Sequence, residues 1–296
     1  MNKHLIIWLF SAALLLINAQ SLSFKYYSSD DGLAQNSVYA MLQDSKGYIW
    51  IGTEGGLSKF DGVKFVNYTK VNGLPDNHIR VVFEDDQNNI WIGTNKGLVS
   101  YKNGKLWSSF QEILGSLIIY SIIQNENEIL IATSNGLFKL NLLTNSILKY
   151  ESSIGNISFR NIDKLDDKFI FATEKGMLTA SETVDSLHQE PIKFLSDTLY
   201  SIFVDSRNRV WVGSELGVDV YTYNNNNFIK QQTYKFGKIF DINEDISNNI
   251  WVSTFEHGIY RVNAKQSVNF SSQNGLTSND ITSILIDTRG DLWFGS

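Results

Sequence analysis

Cysteine is absent from the 296 residues. That excludes disulfide staples, thiol nucleophiles and zinc held by thiolates, so the fold must be stabilised by packing alone. Proline is scarce, at two residues, which argues against a proline-rich, disordered chain. Basic residues fall short of acidic ones, 25 against 31, for a net charge of −6, and they form no run. A protein that grips a phosphate backbone needs a basic footprint, so nucleic acid is excluded as a partner. Histidine is limited to four residues, His4, His78, His188 and His257, scattered along the chain. No HExxH, nucleophile elbow, phosphate loop or full calcium-loop ligand series occurs. The sequence thus offers no catalytic residue, no metal site and no cofactor. Stretches with the apolar period of a helix are missing as well.

What is present begins with a short basic start, Lys3, an apolar run from Leu5 to Ile17 and a small residue, Ala19. This is the pattern of a secretory signal peptide over residues 1–19, with export as its consequence; a buried N-terminal helix or a retained anchor is the alternative.

The remaining residues repeat. An apolar-Trp-apolar-small-Thr/Ser core, "IWIGT" at Trp50, returns at Trp91, Leu130, Ile170, Trp211, Trp251 and Trp293. The spacing is about forty residues, the range of propeller blades. Each copy reads as four strands. A first strand such as "IRVVFED" leads through a turn with Asp at its start and Gly or Asn near its end to the Trp strand. A glycine six or seven residues after the anchor opens a second hairpin, and a fourth strand follows, "PIKFL" in the fourth copy. Trp and the small residue lie two apart and so share a face, placing a large ring beside a gap that admits the neighbouring sheet. The expected fold is all-β, a seven-bladed propeller of four-stranded antiparallel blades over residues 20–296. Its last blade is incomplete at Ser296, and Phe24 to Tyr27 supplies a fourth strand that closes the ring. A chain cut within that blade is the expectation.

The segment "GLAQNSVYAMLQDSKGYIWIGTEGGLSKFDG", Gly32 to Gly62, resembles the two-component regulator propeller repeat, and "GLPDNHI" and "GLTSNDI" repeat its Gly-Leu-x-x-Asn lead-in. Copies three and four depart from it, with Leu130 and Ile170 for Trp and Ala132 and Ala172 for Gly. The resemblance implies the periplasmic sensor region of a hybrid histidine kinase. It also implies an oligosaccharide or other small extracellular ligand, a possible homodimer, and downstream signalling modules of the same polypeptide. A membrane span and kinase would lie beyond residue 296 and tether the protein to the inner membrane.

Propeller ligands commonly meet the loops that enter the inner strands. Counting back from the anchors places Asn36, Tyr39, Asn77, His78, Arg80, Arg160, Tyr200, Lys238 and Asn279 there, with Ser37, Asp197, Phe240 and Asp280 beside them. Aromatic faces next to Arg, Lys and Asn suit a sugar, especially an anionic one. The competing reading is that the rings pack between blades and the polar groups cap loops. Two other functions stay open: a secreted propeller lyase or hydrolase, and a module that binds another protein.

Overall fold

The structure, a computed structural model, describes residues 24–108, 110–150, 155–181, 187–190, 192 and 194–296. The expected signal peptide at 1–19 lies outside them. The chain forms an all-β propeller. Six sheets each contain four antiparallel strands in chain order, and the seventh repeat forms a two-stranded sheet, Ser283–Ile286 with Leu292–Gly295. Blade one shows the plan: Val38–Gln43, Ile49–Thr53, Leu57–Phe60 and Phe65–Tyr68, each hydrogen-bonded to the next. In blade four the last strand is His188–Gln189 rather than the expected "PIKFL".

The packing follows from the second strand of each blade. Every residue of Ile49–Thr53 is buried, because both faces of the sheet are covered. Seven apolar clusters result, each shared by two neighbouring sheets, so the core is a ring of layers. Trp50 packs with Ile79 and Ile92 of blade two, and Trp251 packs with Ile281 and Ile284 of the two-stranded sheet. Leu285 and Trp293 join blade one through Ile49, Ile51 and Phe60, and the Val38 amide donates to the Ser296 carbonyl at 3.0 Å.

Phe24 to Tyr27 is not a strand, which corrects the expectation. In a four-stranded blade a fourth strand lies two spacings from the second, about 9.5 Å, beyond backbone hydrogen-bond reach. Rings span the distance instead. Tyr27 stacks on Trp293 at 5.8 Å between centroids and meets Phe60 edge-on at 5.1 Å. Phe24 joins the Trp251 cluster, and the Tyr26 hydroxyl donates to the Gly275 carbonyl.

Side chains also tie inner strands together. Asp163 accepts the Val204 amide of the next blade at 2.7 Å, and Asp241 accepts the Ile284 amide at 2.8 Å. Burial pushes both carboxyls up to about 6, against the lowering effect of these amides. A raised carboxyl favours the protonated folded state, so its stabilisation is complete below about pH 4, the unfolded value, and is lost as pH rises through about 6. In an Asp163→Asn, Asp241→Asn double variant that loss is absent. Thermal midpoints of the two proteins between about pH 4 and 7.5 are therefore expected to shift in the variant's favour by several degrees as pH rises. A pH-independent difference would refute the assignment.

Candidate functional site at the mouth of the ring

Six inner strands carry an extra residue near their start. The register slips between Val38 and Ala40, Ile79 and Val81, Ile119 and Ser121, Phe159 and Asn161, Leu199 and Ser201, and Ile239 and Asp241. A bulge leaves one residue unpaired and turns its side chain off the pleat. Those residues are Tyr39, Arg80, Tyr120, Arg160, Tyr200 and Phe240. Thr282 takes the corresponding place before Ser283–Ile286, and its hydroxyl donates to the Val38 carbonyl. All seven are half-buried.

Inner strands of successive sheets touch around the whole ring, so side chains from these bulges meet across blade boundaries. The Arg80 guanidinium lies 5.2 Å from the Tyr39 ring. Arg160 sits between Tyr120 and Tyr200, at 5.2 and 5.3 Å. Lys238 is 4.6 Å from Tyr200 and 5.8 Å from Phe240. Each cation faces the electron-rich side of a ring, which favours it and fixes its place. Aromatic and cationic groups thus form one belt.

Few carboxylates balance its cations, and Glu54 acts on Arg80 only from beyond ion-pair range. Arg80 donates from Nε to Asn95 Oδ1 at 2.8 Å, a neutral partner, and burial lowers its pKa. Lys238 is 3.6 Å from Glu215. Arg160 makes no ion pair with a described residue, and its Nε is buried without a hydrogen-bond partner. The His78 ring lies tilted by 35° against Tyr39 at 4.4 Å between centroids, and its Nε2 is likewise buried and unpartnered. Burial, then the nearby Arg80, lowers its pKa and keeps the imidazole neutral at neutral pH. Burial and Glu215 raise the Tyr200 phenol. Among the described residues no group of three or more His, Asp or Glu side chains is placed to hold a metal ion.

The three asparagines of the lead-in do other work. Asn36 Oδ1 accepts the Ser29 amide at 2.7 Å, Asn77 the Lys70 amide at 2.8 Å, and Asn279 the Ser272 amide at 2.8 Å. Each locks a short 3₁₀ turn whose glycine, Gly73 for example at φ 109°, is left-handed and whose leucine is buried. Here the loop-capping reading accounts for the residue type, and these side chains stand apart from the belt contacts. Asp280 Oδ1 accepts the Glu256 amide at 2.7 Å. Tyr120 was not among the residues that the sequence reading placed at the mouth. The signal that finds it is its offset, ten residues before Leu130, as Arg160 is ten before Ile170.

Three segments, residues 32–55, 73–96 and 275–296, match the two component regulator propeller family. Histidine kinase P4 of Formosa agariphila is 44% identical over 59 residues, which cover 19% of this chain and 4% of that protein. Among solved structures, a protein assigned as the extracellular domain of a hybrid two component system from B. thetaiotaomicron superposes with a TM-score of 0.78 at 21% identity. That match covers 92% of this chain and 40% of the other. Virginiamycin B lyase from Staphylococcus aureus superposes at 0.73 with 15% identity, over 88% of this chain and 92% of that one. At these identities the likeness is one of fold. The chain spans less than half of the two-component structure and a small fraction of the kinase.

Proposed function

We propose that this chain, built of two-component regulator propeller repeats, is the ligand-sensing propeller of a two-component signalling protein. In this reading the protein is exported to the periplasm by its N-terminal signal peptide. The two-stranded sheet is the seventh blade, and the signal passes to output modules on the same polypeptide, through dimerisation or a change of shape. The ligand is an oligosaccharide held at the mouth of the ring. One observation carries it: the alternating belt of Tyr39, Arg80, Tyr120, Arg160 and Tyr200, in which five successive sheets each contribute a side chain suited to binding. Aromatic faces stack on the apolar side of a pyranose and cations bond its oxygens. The family match and the kinase relative support the signalling half.

The test is a thermal-shift screen of the purified propeller against oligosaccharides of plant and host polysaccharides, followed by calorimetry on any hit. A saturable shift that disappears in an Arg80→Ala, Arg160→Ala double variant of unchanged fold is expected. No response to any saccharide, unchanged affinity in the double variant, or turnover of the added saccharide would each overturn the assignment.

A further inference from the structure

The belt is positive on a protein whose net charge is −6. Arg80, Arg160 and Lys238 converge on it, and among the described residues the one carboxylate in ion-pair range of any of them is Glu215, at 3.6 Å from Lys238. Like charges gathered at the rim of a ring repel one another, and Arg160 contributes to the lowering of the Arg80 pKa. A fold that needed these side chains only for packing would be served by neutral ones. Glu54 attracts Arg80 from beyond ion-pair range and Glu215 pairs with Lys238, but Arg160 makes no ion pair with a described residue, so an anion from outside the chain would favour the arrangement there.

Arg160 narrows the chemistry. Its guanidinium carbon lies over the Tyr120 ring at 5.2 Å and over the Tyr200 ring at 5.3 Å, so two rings hold the group while its N–H edge is left to bond. That edge is underused, since Nε has no partner. A guanidinium edge is a planar fork that matches the two oxygens of a carboxylate. The rings on either side, with Tyr39 and Phe240 further round, offer apolar stacking to the ring that carries the carboxylate. Resting on the glycan-sensor reading above, we infer that the ligand is a uronate-bearing oligosaccharide whose carboxylate pairs with the Arg160 edge, with Arg80 and Lys238 flanking it and the tyrosines stacking on the sugar. Tyr120, ten residues before Leu130 as Arg160 is ten before Ile170, belongs to this site.

Calorimetry with trigalacturonate, its methyl ester and sodium sulfate separates the possibilities. The acid is expected to bind, more weakly as salt is raised, while the ester binds at least about tenfold more weakly and sulfate alone does not saturate. Arg160→Gln should lose about tenfold or more for the acid and leave the ester unchanged. Arg160→Lys should recover part of the loss, since it keeps the charge without the fork. Lys238→Gln, at a more peripheral position, gives a second variant should Arg160→Gln not fold. Equal binding of acid and ester, or of a neutral oligosaccharide alone, would overturn the uronate assignment and leave the sensor reading standing. Sulfate competing as well as the acid would reduce the site to one for simple anions and overturn it too. No binding by any saccharide, charged or neutral, would remove both.

Discussion

Replacing Gly93 by valine is expected to open the ring between blades two and three and to lower the thermal midpoint by about 10 °C or more. A Cβ at Gly93 would lie 2.6 Å from Val81 Cγ1 and 2.7 Å from Ile119 Cβ. Val81 is on the inner strand of the same blade and Ile119 on that of the next, so neither can retreat without moving a strand. Gly52 meets Ile79, and Gly213 meets Ile239, in the same way. Overpacking a close-packed interior costs about 1–3 kcal/mol and more where backbone must shift, which makes alanine the milder substitution and valine the severe one. The fold contains its own control. Copies three and four carry Ala132 and Ala172 at this position, both fully buried, so there the layer is already spaced for a methyl. Ala132→Gly should cost about 1 kcal/mol, from a lost methyl and a freer unfolded chain. Calorimetric or fluorescence melts of the three variants check the order; a Gly93→Val protein melting within a degree or two of the parent would show that the close approach does not limit blade packing.

That glycine was legible in the sequence, and the reason marks the limit of what else was. Trp91 and Gly93 sit in a regular strand, where alternation assigns faces without ambiguity. The turn residues were legible on similar grounds: Gly47, Asn88, Asn208, Asn248 and Gly290 all hold positive φ at one position of the first hairpin. The belt was harder to read because it sits on bulges. An extra residue breaks the alternation, so Tyr39 and Arg80 could be placed near the mouth by counting from the anchor but not aimed. Asn36, Asn77 and Asn279 recur at fixed spacing because each must reach the first amide of its own 3₁₀ turn, and a repeated polar residue in a loop looks the same whether it binds a ligand or its own backbone. Phe24 to Tyr27 resembles the fourth strand of the other copies in sequence, yet it contributes rings and no ladder bonds. Its strand pairing depended on a neighbour at hydrogen-bond distance, which no pattern within the segment reveals.

The departures in copies three and four, which blurred the repeat, have a physical cause that leads to the second expected result. In blade two Asp85 is buried and accepts the Gln87 amide at 3.0 Å, the Asn89 amide at 2.8 Å and the Trp91 indole Nε1 at 2.9 Å. Asp44, Asp205, Asp245 and Asp287 bond Trp50, Trp211, Trp251 and Trp293 likewise. The carboxylate therefore closes the turn and satisfies the indole N–H that burial would otherwise strand. In copy three the strands pair up to Asn125 and Glu128, and in copy four up to Leu165 and Lys168, leaving two-residue turns. Asn125 and Leu165 stand where the aspartate would be. Leu165 offers no acceptor, and the Asn125 amide oxygen accepts from Lys164 Nζ at 3.3 Å, so a buried indole would lack the carboxylate it meets in the other copies, and Leu130 and Ile170 replace Trp. Tryptophan and aspartate thus behave as one unit. Asp85→Ala is expected to cost about 3 kcal/mol, since it leaves several donors buried and unpaired at about 1–3 kcal/mol each with partial relaxation. Asp85→Asn, which keeps one acceptor oxygen but brings an N–H₂ among donors, should fall between. Trp91→Phe removes the indole donor, so in that background Asp85→Ala should cost less by about 1 kcal/mol or more, the coupling read from a double-mutant cycle in urea. Additive losses would show that the indole bond contributes nothing and that the aspartate acts on the turn alone.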